Sequence, residues 1–173
     1  MRSTGAVADE FLRTGLVALD GTLAPPAATC PLRPQLSSAR IAREFTALTL
    51  RDWDLLYLYD DLVTVSSELV TNALRHALRL GDNGRPDRPA RRLPAAWDPR
   101  WPVELTLLRN DGEVMCVVND PSRRAPTLIA APPPAEYGRG LQVVASLSAE
   151  WGWTPLARAG RPAGKAVWAL LRS

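Results

Sequence analysis

The stretch from Trp53 to Ala77 limits the fold more than any other. Leu62, Val65, Ser66, Leu69, Val70, Ala73, Leu74 and Ala77 recur at spacings of three and four, so they share one side of a helix. A lone helix cannot bury such a stripe, and a sheet or a second helix must cover it. The chain also carries strands to do so. Val103, Leu105 and Leu107 alternate with Glu104 and Thr106, Asn110-Asp-Gly112 is a hairpin turn signal, and Val114-Met-Cys-Val-Val118 reads as a returning strand buried on both sides. The expected class is therefore α/β. With 173 residues and 46% apolar side chains, one core can form without disulfide or metal staples.

The other elements are expected around this pair. Residues 1–27 read as an irregular arm broken by Pro25-Pro26, and residues 28–173 as the domain. A strand is expected over 28–32 and a helix over 38–50, with Ser37-Ser38 at its N-cap. Ala39, Ala42, Phe45, Ala47 and Leu48 would face inward on that helix, with Arg40, Arg43 and Glu44 in water. The long helix is expected over 54–78, with Asp54 as cap or Asp60-Asp61 in an early turn. A third helix would run from Gly140 to Leu147. Glu150–Pro155 and Lys165–Leu171 would be closing strands, with Gly160, Pro162 and Gly164 turning between them.

Two segments lack periodicity. Residues 79–100 hold six Arg, three Asp and four Pro and read as an exposed, mobile insert. Gly81, Gly84 and Trp97 are the only glycine or aromatic residues in it, too few to interleave with the charge, so a solvated connector is favoured over a nucleic-acid surface. Residues 120–138 hold five Pro and read as a long functional loop. The net charge of +3 is too mild to imply a nucleic-acid partner. Cys30 and Cys116 lack metal-ligand spacing. No apolar run reaches membrane-spanning length, and Met1 to Phe11 carries Asp9 and Glu10 rather than a signal-peptide core, so a cytoplasmic location is expected.

Three places carry chemistry. Glu68, Asn72 and His76 are spaced four apart among apolar neighbours on the long helix. They are either a polar stripe in water or ligands for a divalent cation with phosphate oxygens, Asn as neutral oxygen donor and Glu as base. Asp120 ends a buried strand, where it could accept from an amino group or simply close a turn. Gly138-Arg139-Gly140-Leu141 precedes a helix, whose free N–H groups favour phosphate.

Taken together, the order Glu68-Leu-Val-Thr-Asn72-Ala-Leu-Arg-His76-Ala, a hairpin ending at Asp120, Gly-Arg-Gly-Leu141 and then Gly164-Lys-Ala-Val-Trp168 resembles the histidine-kinase-like (GHKL, Bergerat-fold) ATPases. Within that group it looks most like the bacterial anti-sigma-factor serine/threonine kinases and their stand-alone relatives. The resemblance spans about residues 28–172. It implies a two-layer α/β sandwich, with a mixed, mostly antiparallel sheet and helices on one face. It implies ATP and Mg2+ as cofactors, Glu68 as general base and Asn72 as metal ligand. It also implies ATP contacts from Asn72, His76, Asp120, Gly138, Arg139, Gly140, Leu141 and Lys165, with Asp120 reading the adenine amino group. The implied partners are an anti-anti-sigma-like protein, a sigma factor, or both, with a homodimer as a further option. The chain departs from the family pattern at Ser122, at Pro132-Pro-Pro134 and at Ala166. A non-catalytic protein-binding module that keeps the fold is the alternative function.

Overall fold

The computed structural model describes residues 26–78, 97–110, 112–128, 139–158 and 160–172. Its order is β1 (Ala27–Leu32), α1 (Ser38–Asp52), a short 3-10 turn (Leu56–Leu58), α2 (Tyr59–Asn72), a π-helical turn (Ala73–Ala77), β2 (Val103–Asn110), β3 (Glu113–Asp120), α3 (Gly140–Leu147), β4 (Glu150–Arg158) and β5 (Arg161–Leu171). The five strands form one sheet in the order β1-β2-β3-β5-β4. Every pairing is antiparallel, so the expected mixed sheet is instead uniformly antiparallel among the described strands. The architecture is α/β, with three α-helices and a five-stranded antiparallel sheet.

β3 is the central strand, which explains its unbroken apolar run. Val114, Cys116 and Val118 point into the main core with Val167, Ala169 and Leu171 of β5. Met115 and Val117 face the other way, into a second cluster with Leu108, Ala166, Trp168 and Leu170. A strand with neighbours on both edges and cover on both faces has no side left for polar residues. The main core is closed by α2, whose Leu62, Val65, Leu69, Val70, Ala73 and Leu74 are buried as the stripe predicts. Each such Leu or Val contributes about 1.5–3 kcal/mol by leaving water, so packing rather than helix propensity holds α2 in place.

Four expectations change at the element borders. Asp54 does not cap: it has φ 58 in the connection after α1, and the α-helix starts later, at Tyr59. Its first turn keeps Asp60 and Asp61, where acids suit the helix dipole. Ser37 makes no side-chain cap bond, whereas Ser38 Oγ donates to the Arg33 carbonyl at 2.9 Å. The inner face of α1 is Ser38, Ala42, Thr46, Thr49 and Leu50, while Leu48 is 51% exposed. Threonines are tolerated there because their hydroxyls are satisfied locally: Thr46 Oγ1 bonds Ser66 Oγ at 3.1 Å across to α2, and Thr49 Oγ1 donates to the Phe45 carbonyl. Pro162 and Gly164 lie within β5, not in the turn. That end of β5 pairs only with β4, because pairing to β3 begins at Lys165, so Pro162 removes no bond on the β3 side.

The basic insert falls mostly outside the described residues, but its end does not. Trp97 is buried, and its Nε1 donates to the Ala163 carbonyl at 2.6 Å. The end of the insert is therefore anchored on β5 at Trp97, while Asp98, Pro99 and Arg100 after it are exposed as expected. The indole can be buried because its one N–H finds a strand-end carbonyl. No helix among the described residues is long and apolar enough to cross a membrane.

Candidate functional site

A cavity of about 390 Å³ opens between α2, the loop after β3, the start of α3 and the end of β5. That volume lies within the usual range for small-molecule sites. α2 and its π turn contribute Leu69, Asn72, Ala73 and His76; β5 contributes Lys165 and Val167. Asp120 stands where β3 ends, and Gly140 and Leu141 where α3 begins. Residues from four separate parts of the chain thus meet in one concavity.

At one end of the cavity sits a buried ion pair. Asp120 and Lys165 are direct cross-strand partners, so the sheet itself sets their spacing. Lys165 Nζ lies 2.9 Å from Asp120 Oδ1 and 2.8 Å from Oδ2. Oδ1 also accepts the Ser122 backbone N–H at 2.8 Å, closing the turn. Burial pushes the Asp120 carboxyl above its ordinary value, and the Lys165 charge and both hydrogen bonds pull it partly back. Gly164 belongs to this end: a Cβ there would run into the Asp120 carbonyl.

The other end is built on Glu68, Asn72 and Gly140. A Cβ at residue 140 would lie 2.6 Å from Glu68 Oε2 and 3.2–3.3 Å from the Asn72 amide atoms. The missing side chain lets the start of α3 lie against the ends of Glu68 and Asn72, which a Cβ would displace. The Asn72 Nδ2 is buried without a hydrogen-bond partner among the described residues. A buried donor left unpaired costs about 1–3 kcal/mol, which a bound anion or water would recover. The start of α3, which has no side-chain cap, adds the positive end of its dipole.

The residues expected on sequence grounds divide as follows. Asn72, His76, Asp120, Gly140, Leu141 and Lys165 line the cavity together. Glu68 does not line it; it lies under Gly140, half-buried. Arg139 precedes α3 and is exposed, with its carbonyl accepting from Gln142 and Val143 N–H. Gly138 lies outside the described residues, as does the loop from 129 to 138. The three polar residues of α2 are not equivalent, because the π turn after Asn72 widens the helix and leaves His76 exposed at the rim. Arg124 and Thr127 also line the cavity and were missed, since a Pro-rich loop has no periodicity to mark its inner side.

Among the described residues, no cluster of three or more His, Cys, Asp or Glu side chains forms a metal site. A Mg2+ ion carried by phosphates needs less from the protein: it keeps several waters and takes one or two side-chain oxygens. The orphaned Asn72 amide under the Gly140 cradle fits that requirement. Its Oδ1 can ligate a cation while its N–H donates to an anionic oxygen. No protein-family model matches the chain, and no curated protein matches it.

Proposed function

We propose that the chain is an ATP- and Mg2+-binding regulatory protein of the histidine-kinase-like (GHKL) ATPase group, acting as a serine/threonine kinase of the anti-sigma-factor type on a small protein antagonist. The observation that carries this reading is the meeting of Asp120, Asn72 and Gly140 around one cavity, with Glu68 beneath its glycine end. Asp120 would accept from the adenine amino group. The N–H groups at the start of α3 would receive the phosphates. Asn72 would hold Mg2+, which when bound neutralises phosphate charge. Glu68 would take the proton of the acceptor hydroxyl. Phosphoryl transfer asks mainly for positioning and charge, and this set supplies both. The phosphorylated partner would be an anti-anti-sigma-like protein, and a sigma factor could be bound as well.

A second reading has its own support. Glu68 rests against Gly140 and does not line the cavity, so a protein-binding module that holds nucleotide without transferring phosphate is the alternative.

One comparison separates the two. Wild type, Asn72→Ala and Glu68→Gln are incubated with radiolabelled ATP, Mg2+ and candidate partners, and ATP affinity is measured in parallel. The kinase reading expects Asn72→Ala to weaken Mg2+-dependent ATP binding. It expects Glu68→Gln to bind ATP normally and to transfer phosphate on the order of 10²–10⁴-fold more slowly. Transfer at the wild-type rate in Glu68→Gln would remove Glu68 as base, and wild type that binds ATP but never transfers would favour the binding module.

A further inference from the structure

We propose that Lys165 is a specificity-determining residue of this cavity, offering an N–H beside the Asp120 carboxylate so that a ligand ring is read at a donor and an adjacent acceptor at once. This rests on the nucleotide reading above and adds to it a second point of contact with the base.

The argument is a count of hydrogen-bonding capacity. An ionised carboxylate has about four acceptor sites. Three at Asp120 are engaged: Oδ1 by Ser122 N–H and by Lys165 Nζ, Oδ2 by Lys165 Nζ. One acceptor site on Oδ2 remains. An ammonium has three N–H donors, and among the described residues the Lys165 Nζ reaches, beyond Asp120, only the Ser122 carbonyl, at 3.5 Å. That distance is the outer edge of a hydrogen bond, so this N–H is free to move to a better acceptor. Both side chains are buried, at 2% and 8% exposure, and both residues line the cavity. The pair therefore presents one acceptor and one donor side by side at a rigid cross-strand position. A 6-aminopurine carries the complement, an amino donor next to the ring acceptor N1. Guanine carries the reverse order, with an acceptor at position 6 and a donor at position 1.

The test is calorimetric titration with ATP and with 1-deaza-ATP, in which ring N1 is replaced by C–H. It uses wild type and Lys165→Met, with thermal unfolding to confirm folding. Wild type should bind the analogue on the order of 10–100-fold more weakly than ATP, the effect of one hydrogen bond to a charged group. Lys165→Met should bind the two alike. If Lys165→Met does not fold, the neutral pair Asp120→Asn/Lys165→Met takes its place, since it strands no buried charge. Equal binding of the two nucleotides by wild type overturns the proposal, and so does a Lys165 variant that still discriminates. Wild type that binds neither nucleotide overturns the nucleotide reading itself, and the role of Lys165 with it.

Discussion

The two ends of the cavity are built on opposite terms. At the Asp120–Lys165 end, charge meets charge across adjacent strands, each of the two charged side chains has a partner, and a missing Cβ at Gly164 makes room for backbone. At the Glu68–Asn72 end, a buried amide nitrogen has no partner among the described residues, and the missing Cβ at Gly140 makes room for side-chain ends. The first end is held rigid by its own cross-strand ion pair. The second is left incomplete, and a polar ligand would complete it. A site can thus be rigid where it selects and unsatisfied where it binds, because unmet hydrogen-bonding capacity is affinity held in reserve.

The largest test of this contrast removes one partner of the closed end. Lys165→Met leaves Asp120 buried and unpaired, and should lower unfolding stability by about 3–5 kcal/mol in urea denaturation. Asn72→Ala, at the open end, should cost far less. Similar losses from both would show that the two ends do not differ in kind.

A smaller effect compares the two glycines. Gly164→Ala drives a Cβ into the Asp120 carbonyl, and the backbone of two strands must shift. A loss of about 1–3 kcal/mol is expected, as for other overpacked sites. Gly140→Ala meets Glu68 Oε2 at 2.6 Å, and that carboxylate can rotate away. It should unfold within about 0.5 kcal/mol of wild type, yet bind nucleotide more weakly because Glu68 and Asn72 are displaced. Thermal unfolding and calorimetry on the two variants separate these outcomes.

The smallest effect tests the strand beneath the closed end. Cys116 lies on β3, and burial pushes its thiol from 9.0 up to about 12. A thiol pKa raised by folding gives stability that is complete below the unfolded value and is lost as pH rises from about 9 toward 12. Over that window wild type should lose stability more steeply with rising pH than Cys116→Ala, read by urea denaturation at several pH values. Parallel slopes for the two proteins would mean that water reaches the thiol and that the strand is not sealed.

Much of this architecture is legible in the linear chain, for a physical reason. Hydrophobic periodicity reports which side of an element leaves water, so α2, the β2–β3 hairpin, α3 and the two last strands stand near their expected places. The same pattern is silent wherever polar atoms satisfy each other inside. Thr46 and Thr49 therefore line the core while Leu48 faces water, and Trp97 is buried in a run of charge. Spacing marked Asp120, Asn72 and Gly140 one by one, because each breaks a local rule: an acid ending a buried strand, an amide among apolar neighbours, a glycine opening a helix. Their meeting could not be read that way. It depends on a sheet order that sets β5 beside β3 and so joins Lys165 to Asp120, on a π turn that moves His76 away from Asn72, and on the approach of α3 to α2. Those are long-range packing outcomes, and no residue's own neighbours in the sequence encode them.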